Sequence, residues 1–172
     1  SGLVDRLTGG YGAPEREPFN LHSVLEHVRK LTLVEIPQGL QFERDYDPSI
    51  PEVLGDHAQM VQAVLNIVRN AVQAMESRGC IRLRTRARRQ CTIHNRRHRL
   101  AVEASITDDG PGIDPKLMDR IFFPMVTGRD DGTGLGLALT QEIITRHGGL
   151  IECASRPGQT CFTVFLPVED RL

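Results

Sequence analysis

The sequence predicts an α/β (α+β) fold in one domain. Three segments place apolar residues at helical spacing, and five others alternate or run β-branched between turn signals. At 172 residues with 40% apolar content, the chain can bury one real core and is too short for two domains of ordinary size.

Residues 1–19 carry the composition of a linker, with Gly-Gly, Gly-Ala-Pro and a second proline, and "LVDRL" reads as the tail of a helix from a preceding unit. Asn20 is placed to cap a helix with the stripe Leu21, Val24, Leu25, Val28 and Leu31, Phe19 stapling onto Val24 and Pro37 bounding its end. "LQFERDY" alternates as a short strand and "DPSIP" turns the chain. Asp56 and Gln59 form a D-x-x-Q variant of the capping box for a second helix. Its apolar stripe is Val61, Val64, Leu65, Val68, Val72 and Met75, and Gln62, Asn66, Arg69, Asn70 and Gln73 give it an amide-rich face.

After the Arg78-Gly79 turn, "CIRLRTRARRQCTI" and "HRLAVEASITDDG" read as an antiparallel hairpin with the basic tip "HNRRHR". The stretch from Gly110 to Thr133 is rich in proline and glycine, with a short helix expected at "PKLMDRIF"; a loop that long is a functional lid or is disordered. A third helix runs from Leu135 to about Arg146 and closes at His147-Gly148-Gly149; the strands "LIECAS" and "TCFTVFLPV" follow around the turn "RPGQ".

The formal net charge of -1 gives no global attraction to nucleic acid or membrane, so neither is expected as a partner. No apolar run approaches the roughly 18 residues of a membrane span, and the start is not a signal peptide. The expectation is a soluble, cytoplasmic protein. Cys80, Cys91, Cys153 and Cys161 show no CxxC pair and lie in or beside strand-like stretches, as buried free thiols do.

"GTGLGL", residues 132 to 137, opens the third helix. A dinucleotide fingerprint needs G-x-G-x-x-G directly after a strand, whereas here Leu137 holds the third glycine position and a polar loop precedes. A P-loop needs a lysine after its last glycine, and none follows. The general mechanism survives: bare backbone at a helix N-terminus presents N–H groups to phosphate oxygens. In "TDDGPGI", Asp108 ends a strand beside Gly110 and Gly112; such a carboxylate can accept a hydrogen bond from an exocyclic amino group, and the motif alone also suits an ordinary turn. Asn70 offers a neutral oxygen suited to Mg²⁺ that takes its charge partners from phosphates, or is simply solvated.

Order and spacing carry more than any one part. "LNIVRNAVQA", "DDGPGI", "IFFPMV" and "GTGLGLAL" resemble, in sequence order, the N, G1, F and G2 boxes of the histidine-kinase catalytic and ATP-binding domain. That family belongs to the ATPase superfamily shared with gyrase, Hsp90 and MutL. The resemblance covers about residues 20–168, and "DYDPSIP", "FFPMVTGRDDGTGLGLALTQ" and "GGLIECASRPGQTCFTVFLP" look most like the sensor kinases of nitrogen regulation.

The resemblance implies a two-layer α/β sandwich of the Bergerat type: one mixed sheet of about five strands on three helices, with an ATP lid. It makes residues 1–19 a linker and the tail of a dimerisation helix, and residues 20–172 the catalytic domain. ATP and Mg²⁺ are the implied cofactors. Asn70 would hold Mg²⁺, Asp108 would meet the adenine amino group, and Gly110 and Gly112 would shape the adenine pocket. Gly132, Thr133, Gly134, Leu135 and Gly136 would form the hinge and phosphate end of the lid. Phe122 and Phe123 would anchor the lid or serve as core aromatics, and Arg129 is the nearest fixed cation.

Three departures matter. Asp109 stands where the family often has Asn, adding a negative charge near the nucleotide. Gln73 stands where many members carry Lys, which leaves the phosphate grip to the metal, Arg129 or Arg69. Asn66 stands where water-activating relatives carry a glutamate base, and an amide cannot accept a proton as a carboxylate does. With Asn66 and Asn70 as the catalytic positions, the expectation is poor intrinsic hydrolysis and transfer of the γ-phosphoryl to an imidazole.

None of His22, His27, His57, His94, His98 and His147 precedes an acidic residue as the family's phosphoacceptor does. The acceptor is expected on a separate dimerisation domain, with a response regulator downstream and a PII-type signal protein as a candidate partner. The arginines at 78, 82, 84, 86, 88, 89, 96, 97 and 99 meet no acid between Glu76 and Glu103. A solvated strand face, an acidic protein partner and nucleic acid are the three readings of that hairpin, the last without aromatic interleaving to support it.

Overall fold

The computed structural model describes residues 15–124 and 136–169. In chain order these form β1 (Glu17–Phe19), α1 (Leu21–Glu35), β2 (Leu40–Asp45), β3 (Val53–Gly55), α2 (His57–Ala74), β4 (Gly79–Ile93), β5 (Arg96–Asp108), a 3-10 turn (Met118–Arg120), α3 (Gly136–Arg146), β6 (Leu150–Arg156) and β7 (Gln159–Pro167). A five-stranded sheet in the order β2-β4-β5-β7-β6 pairs β2 parallel to β4 and every other neighbour antiparallel. The expected mixed sheet and three helices are therefore present. Parallel pairing of β2 with β4 requires a crossover, and α2 supplies it.

Alternation fixes which face the helices cover. Ile81 and Leu83 of β4, Val102, Ala104 and Ile106 of β5, and Phe162, Val164 and Leu166 of β7 are buried with Val24, Val28, Ile67, Val68, Ile143 and Ile144 of the helices in one core. Asn20 caps α1 by accepting from the His22 N–H at 2.8 Å. Thr32, not the expected Leu31, takes the inward position; it satisfies its hydroxyl on the Val28 carbonyl at 2.7 Å, and Leu31 is 40% exposed. The α2 stripe is broader than its valines suggest, since Met60, Ala63, Ile67 and Ala71 are buried too. Asp56 accepts from the Gln59 N–H at 3.1 Å, the forward half of the capping box, while its own N–H donates to His147 Nε2 at 2.9 Å. α3 ends in a Schellman motif, Gly149 N–H to Ile144 O and Gly148 N–H to Thr145 O, both 2.9 Å.

Three features differ from expectation. The last residues of the linker-like segment are strand β1, paired antiparallel with β3, which lies directly after the "DPSIP" turn. Strands this short give no readable alternation. The hairpin tip is two residues, His94 and Asn95 with φ of 50° and 65°, so the strand resumes at Arg96. Positive φ at both central positions matches strand twist, and the basic residues continue the ladder. "PKLMDRIF" forms only the 3-10 turn.

The arginines find acids on neighbouring strands. Arg82 pairs with Glu43 at 3.0 Å, Arg86 with Asp45 at 2.8 Å, and Glu103 receives Arg88 at 3.2 Å and Arg84 at 3.5 Å. Glu103 is 6% exposed beneath those two guanidinium groups. Much of the basic stretch is thus a cross-strand charge ladder on the sheet's open face.

Candidate functional site

The sequence-predicted residues gather along α2. An α-helix rises about 1.5 Å per residue, so Asn66, Asn70 and Ala74, four apart, stand on one side over roughly 12 Å. At one end, Asn66 Nδ2 donates to the Gly136 carbonyl at 3.1 Å, joining α2 to the first residue of α3. At the other, a Cβ placed on Gly110 would lie 3.4 Å from both Ala74 Cβ and Met75 Cγ. Asn70 lies midway, half-buried, and its side-chain amide has no hydrogen-bond partner among the described residues.

Asp108 ends β5 and is 4% exposed. Its Oδ1 accepts from the Gly110 N–H at 2.9 Å, an Asx turn that bends the chain out of the sheet. Gly110 has no room for a side chain, because its Cβ would stand 2.9 Å from that same oxygen. Gly112 is bound by geometry twice over: φ is +92°, and a Cβ would meet the Arg156 carbonyl at 2.6 Å. The loop is pinned at Ile113, whose N–H donates to Ser155 Oγ at 2.8 Å; Ser155 shares a 2.8 Å hydroxyl contact with Thr160. Thr160 is buried and directly opposite Asp108 across β5 and β7. The result is a glycine-bearing elbow with one buried carboxylate and a hydroxyl on the neighbouring strand.

Asp109 turns away from that elbow. Its carboxylate accepts the Cys80 N–H at 3.2 Å at the start of β4, so the extra charge is tied down on the α2–β4 side. Burial, with Glu43 and Asp109 nearby, raises the Cys80 thiol. Burial pushes Cys153, on the inward face opposite Phe162, up to about 12. All four cysteines are free thiols.

Asn66 is already occupied: its Oδ1 accepts from Gln62 Nε2 at 2.8 Å while its Nδ2 holds Gly136. Arg69 and Gln73 face solvent on α2. Phe122 meets Phe162 edge to face at 6.3 Å, a core contact, and Phe123 is 56% exposed, so the two aromatics play different parts. Arg129, Gly132, Thr133, Gly134 and Leu135 lie outside the described residues. Gln62 was legible only as part of the amide-rich face, and Thr140, Ser155 and Thr160 were not singled out from sequence. Thr140 and Thr160 did leave a signal, as hydroxyls in otherwise apolar inward rows, Thr140-Ile143-Ile144 and Thr160-Phe162-Val164-Leu166.

Among the described residues no helix is long and apolar enough to cross a membrane. The family described as histidine kinase-, DNA gyrase B-, and HSP90-like ATPase matches residues 55–170. The chain is 49% identical over 168 residues to the sensory histidine kinase/phosphatase NtrB of Vibrio alginolyticus, covering 96% of this chain and 48% of that protein. It is 43% identical over 166 residues to NtrB of Rhodobacter capsulatus, covering 95% and 47%. The chain thus spans about half the length of the curated relatives it matches. Among solved structures, the nucleotide-free catalytic domain of histidine kinase ThkA superposes with a TM-score of 0.76 at 28% identity, covering 89% of this chain and 95% of that one. Full-length ShkA in complex with AMPPNP gives 0.76 at 25% identity, covering 99% and 35%. With the backbone elbow at Asp108, the amide face of α2 and a family match over most of its length, the chain belongs to the histidine kinase-, DNA gyrase B- and HSP90-like ATPases.

Proposed function

We propose that this chain is the ATP-binding catalytic domain of a two-component sensor histidine kinase of nitrogen regulation, passing the γ-phosphoryl of ATP to a histidine on a separate dimerisation domain. A response regulator receives it next, and a PII-type signal protein is the candidate regulator. The observation that carries the reading is the pairing, along one side of α2, of an engaged amide at Asn66 with one at Asn70 that has no partner among the described residues.

The residues present fit Mg²⁺-ATP. Asp108 is a buried acceptor at the mouth of a glycine elbow, suited to the adenine amino group. Asn70 supplies a neutral oxygen, and among the described residues no three His, Cys, Asp or Glu side chains converge, so Mg²⁺ would draw its other ligands from phosphate and water. The backbone from Gly132 to Gly136 would meet phosphate oxygens. When bound, Mg²⁺ would neutralise charge on the phosphates, and Asn70 would help to hold it. No general base stands one turn before Asn70, because Asn66 cannot take a proton and its oxygen is engaged by Gln62. Positioning and charge stabilisation then favour a strong external nucleophile over water.

Titration calorimetry with a non-hydrolysable ATP analogue tests the site. Binding should be enhanced by Mg²⁺ in the wild type, and Asn70→Ala should abolish that enhancement while retaining metal-free binding. Equal Mg²⁺ dependence in both proteins would remove Asn70 from the metal.

A further inference from the structure

The Gly136 carbonyl is the first of α3, and two side chains hold it. Asn66 Nδ2 donates to it at 3.1 Å, and Thr140 Oγ1 lies 2.9 Å from it and 3.2 Å from the Ala63 carbonyl on α2. Thr140 is fully buried, and its single hydroxyl proton is shared between those two carbonyls, the Gly136 oxygen being the nearer. Behind Asn66, Gln62 Nε2 donates to Oδ1 at 2.8 Å.

The chemistry of this chain of bonds runs one way only. A carbonyl accepts and cannot donate, so only the NH₂ end of the Asn66 amide can face Gly136. Its oxygen then points to Gln62, which must present its own NH₂ end. Turning either amide over would set oxygen against oxygen at about 3 Å. The Gly136 carbonyl therefore decides which end of Asn66 meets α3, and Gln62, donating to the other end, holds Asn66 in that orientation. A carboxylate at position 66 would face the Gly136 carbonyl with like partial charge, so the same contact that makes Asn66 a brace excludes a base there.

We infer that Gln62 is a positioning residue: through Asn66, and together with Thr140, it clamps the Gly136 carbonyl and sets where the first turn of α3 stands relative to Asn70, one helical turn along α2. The inference rests on the site being a phosphoryl-transfer centre. Its consequence falls on alignment of the phosphates, because the Asp108 elbow lies at the C-terminal end of α2, about two helical turns beyond Asn66.

The test uses Gln62→Met, which removes the donor at similar length, and Gln62→Lys, which keeps a donor and lacks an acceptor. Two measurements apply: the side-chain amide protons of Asn66 by NMR in the nucleotide-free protein, and phosphoryl transfer in the full-length parent kinase. In Gln62→Met, the Asn66 amide pair should lose its protection from exchange. Transfer at saturating ATP should fall about tenfold with KM for ATP within about twofold of wild type. Gln62→Lys should recover most of the rate, and melting temperature should stay close to wild type in both. A wild-type rate in Gln62→Met, or equal loss in both variants, would overturn the inference. If wild type itself transfers no phosphoryl group, the kinase reading fails; the NMR result still decides whether Gln62 orients Asn66.

Discussion

Two side chains show how burial assigns chemistry residue by residue. Asp108 is enclosed and bonded to its own turn, yet sits where a strand ends and backbone is bare. Asp108→Asn keeps the shape and converts half the acceptor into a donor. ATP affinity should fall by about 1.5 to 3 kcal/mol, measured by calorimetry, and an unchanged affinity would remove the carboxylate from the adenine role. His147, at the C-terminus of α3, is buried. It donates through Nδ1 to the Ile143 carbonyl at 2.8 Å and accepts the Asp56 N–H on Nε2, which commits the ring to the neutral form. Burial, against the raising effect of the Ile143 bond, lowers its pKa below the ordinary imidazole value. The unfolded chain then binds the proton more readily, so this contribution is complete above about pH 6.5 and declines as pH falls through that value. Chemical denaturation from pH 8 to 5 should show a shallower acid decline in His147→Gln than in wild type; parallel curves would contradict the assignment.

At the level of elements, α1 is strapped to β2 by Glu26. Arg29 grips it with two bonds of 3.0 Å, Arg44 donates at 2.8 Å, and the Tyr46 hydroxyl donates at 2.9 Å. The Arg29 guanidinium above all, with Tyr46 and Arg44 adding to it against the cost of burial, holds the Glu26 carboxyl at about 2. A depressed carboxylate stabilises the fold above its unfolded pKa and loses that contribution as pH falls toward the folded value. Glu26→Gln should cost about 1 to 2 kcal/mol at pH 7 and flatten the stability curve between about pH 4.5 and 2. Equal acid limbs would show that the strap is idle. Phe162, fully buried between the sheet and Phe122, should cost about 3 to 5 kcal/mol on change to Ala. The helices were legible because their caps and periodicity are local: Asn20, Asp56 and the His147-Gly148-Gly149 ending stand where the sequence signals put them. Partners distant in sequence were not legible. The acids that meet Arg82, Arg86 and Arg88 sit on other strands, and the carbonyl that Asn66 serves is 70 residues away. Alternation announces that β4 and β5 are strands; only the assembled sheet shows that Glu43, Asp45 and Glu103 answer the arginines.

For the molecule as a whole, the site is built where elements remote in sequence converge. The middle of α2 touches the start of α3 and its C-terminal end the Asp108 elbow, and the elbow leans on the β6–β7 turn through Gly112 and Ser155. Residue types gave the elbow and Asn70 in advance, since glycine and asparagine there have a chemical reason; Thr160, Ser155 and Gln62 gain meaning only from their neighbours. On the proposed function, the chain passes a phosphoryl group to an imidazole in another domain and spends little on water. The most direct measurement incubates this chain with γ-labelled ATP and Mg²⁺, with and without the histidine-bearing dimerisation domain supplied in trans, and follows labelled protein and free phosphate together. The account predicts label on the dimerisation domain, lost with Asn70→Ala, and little free phosphate from the chain alone. Steady phosphate release by the isolated chain with no labelled histidine would contradict it.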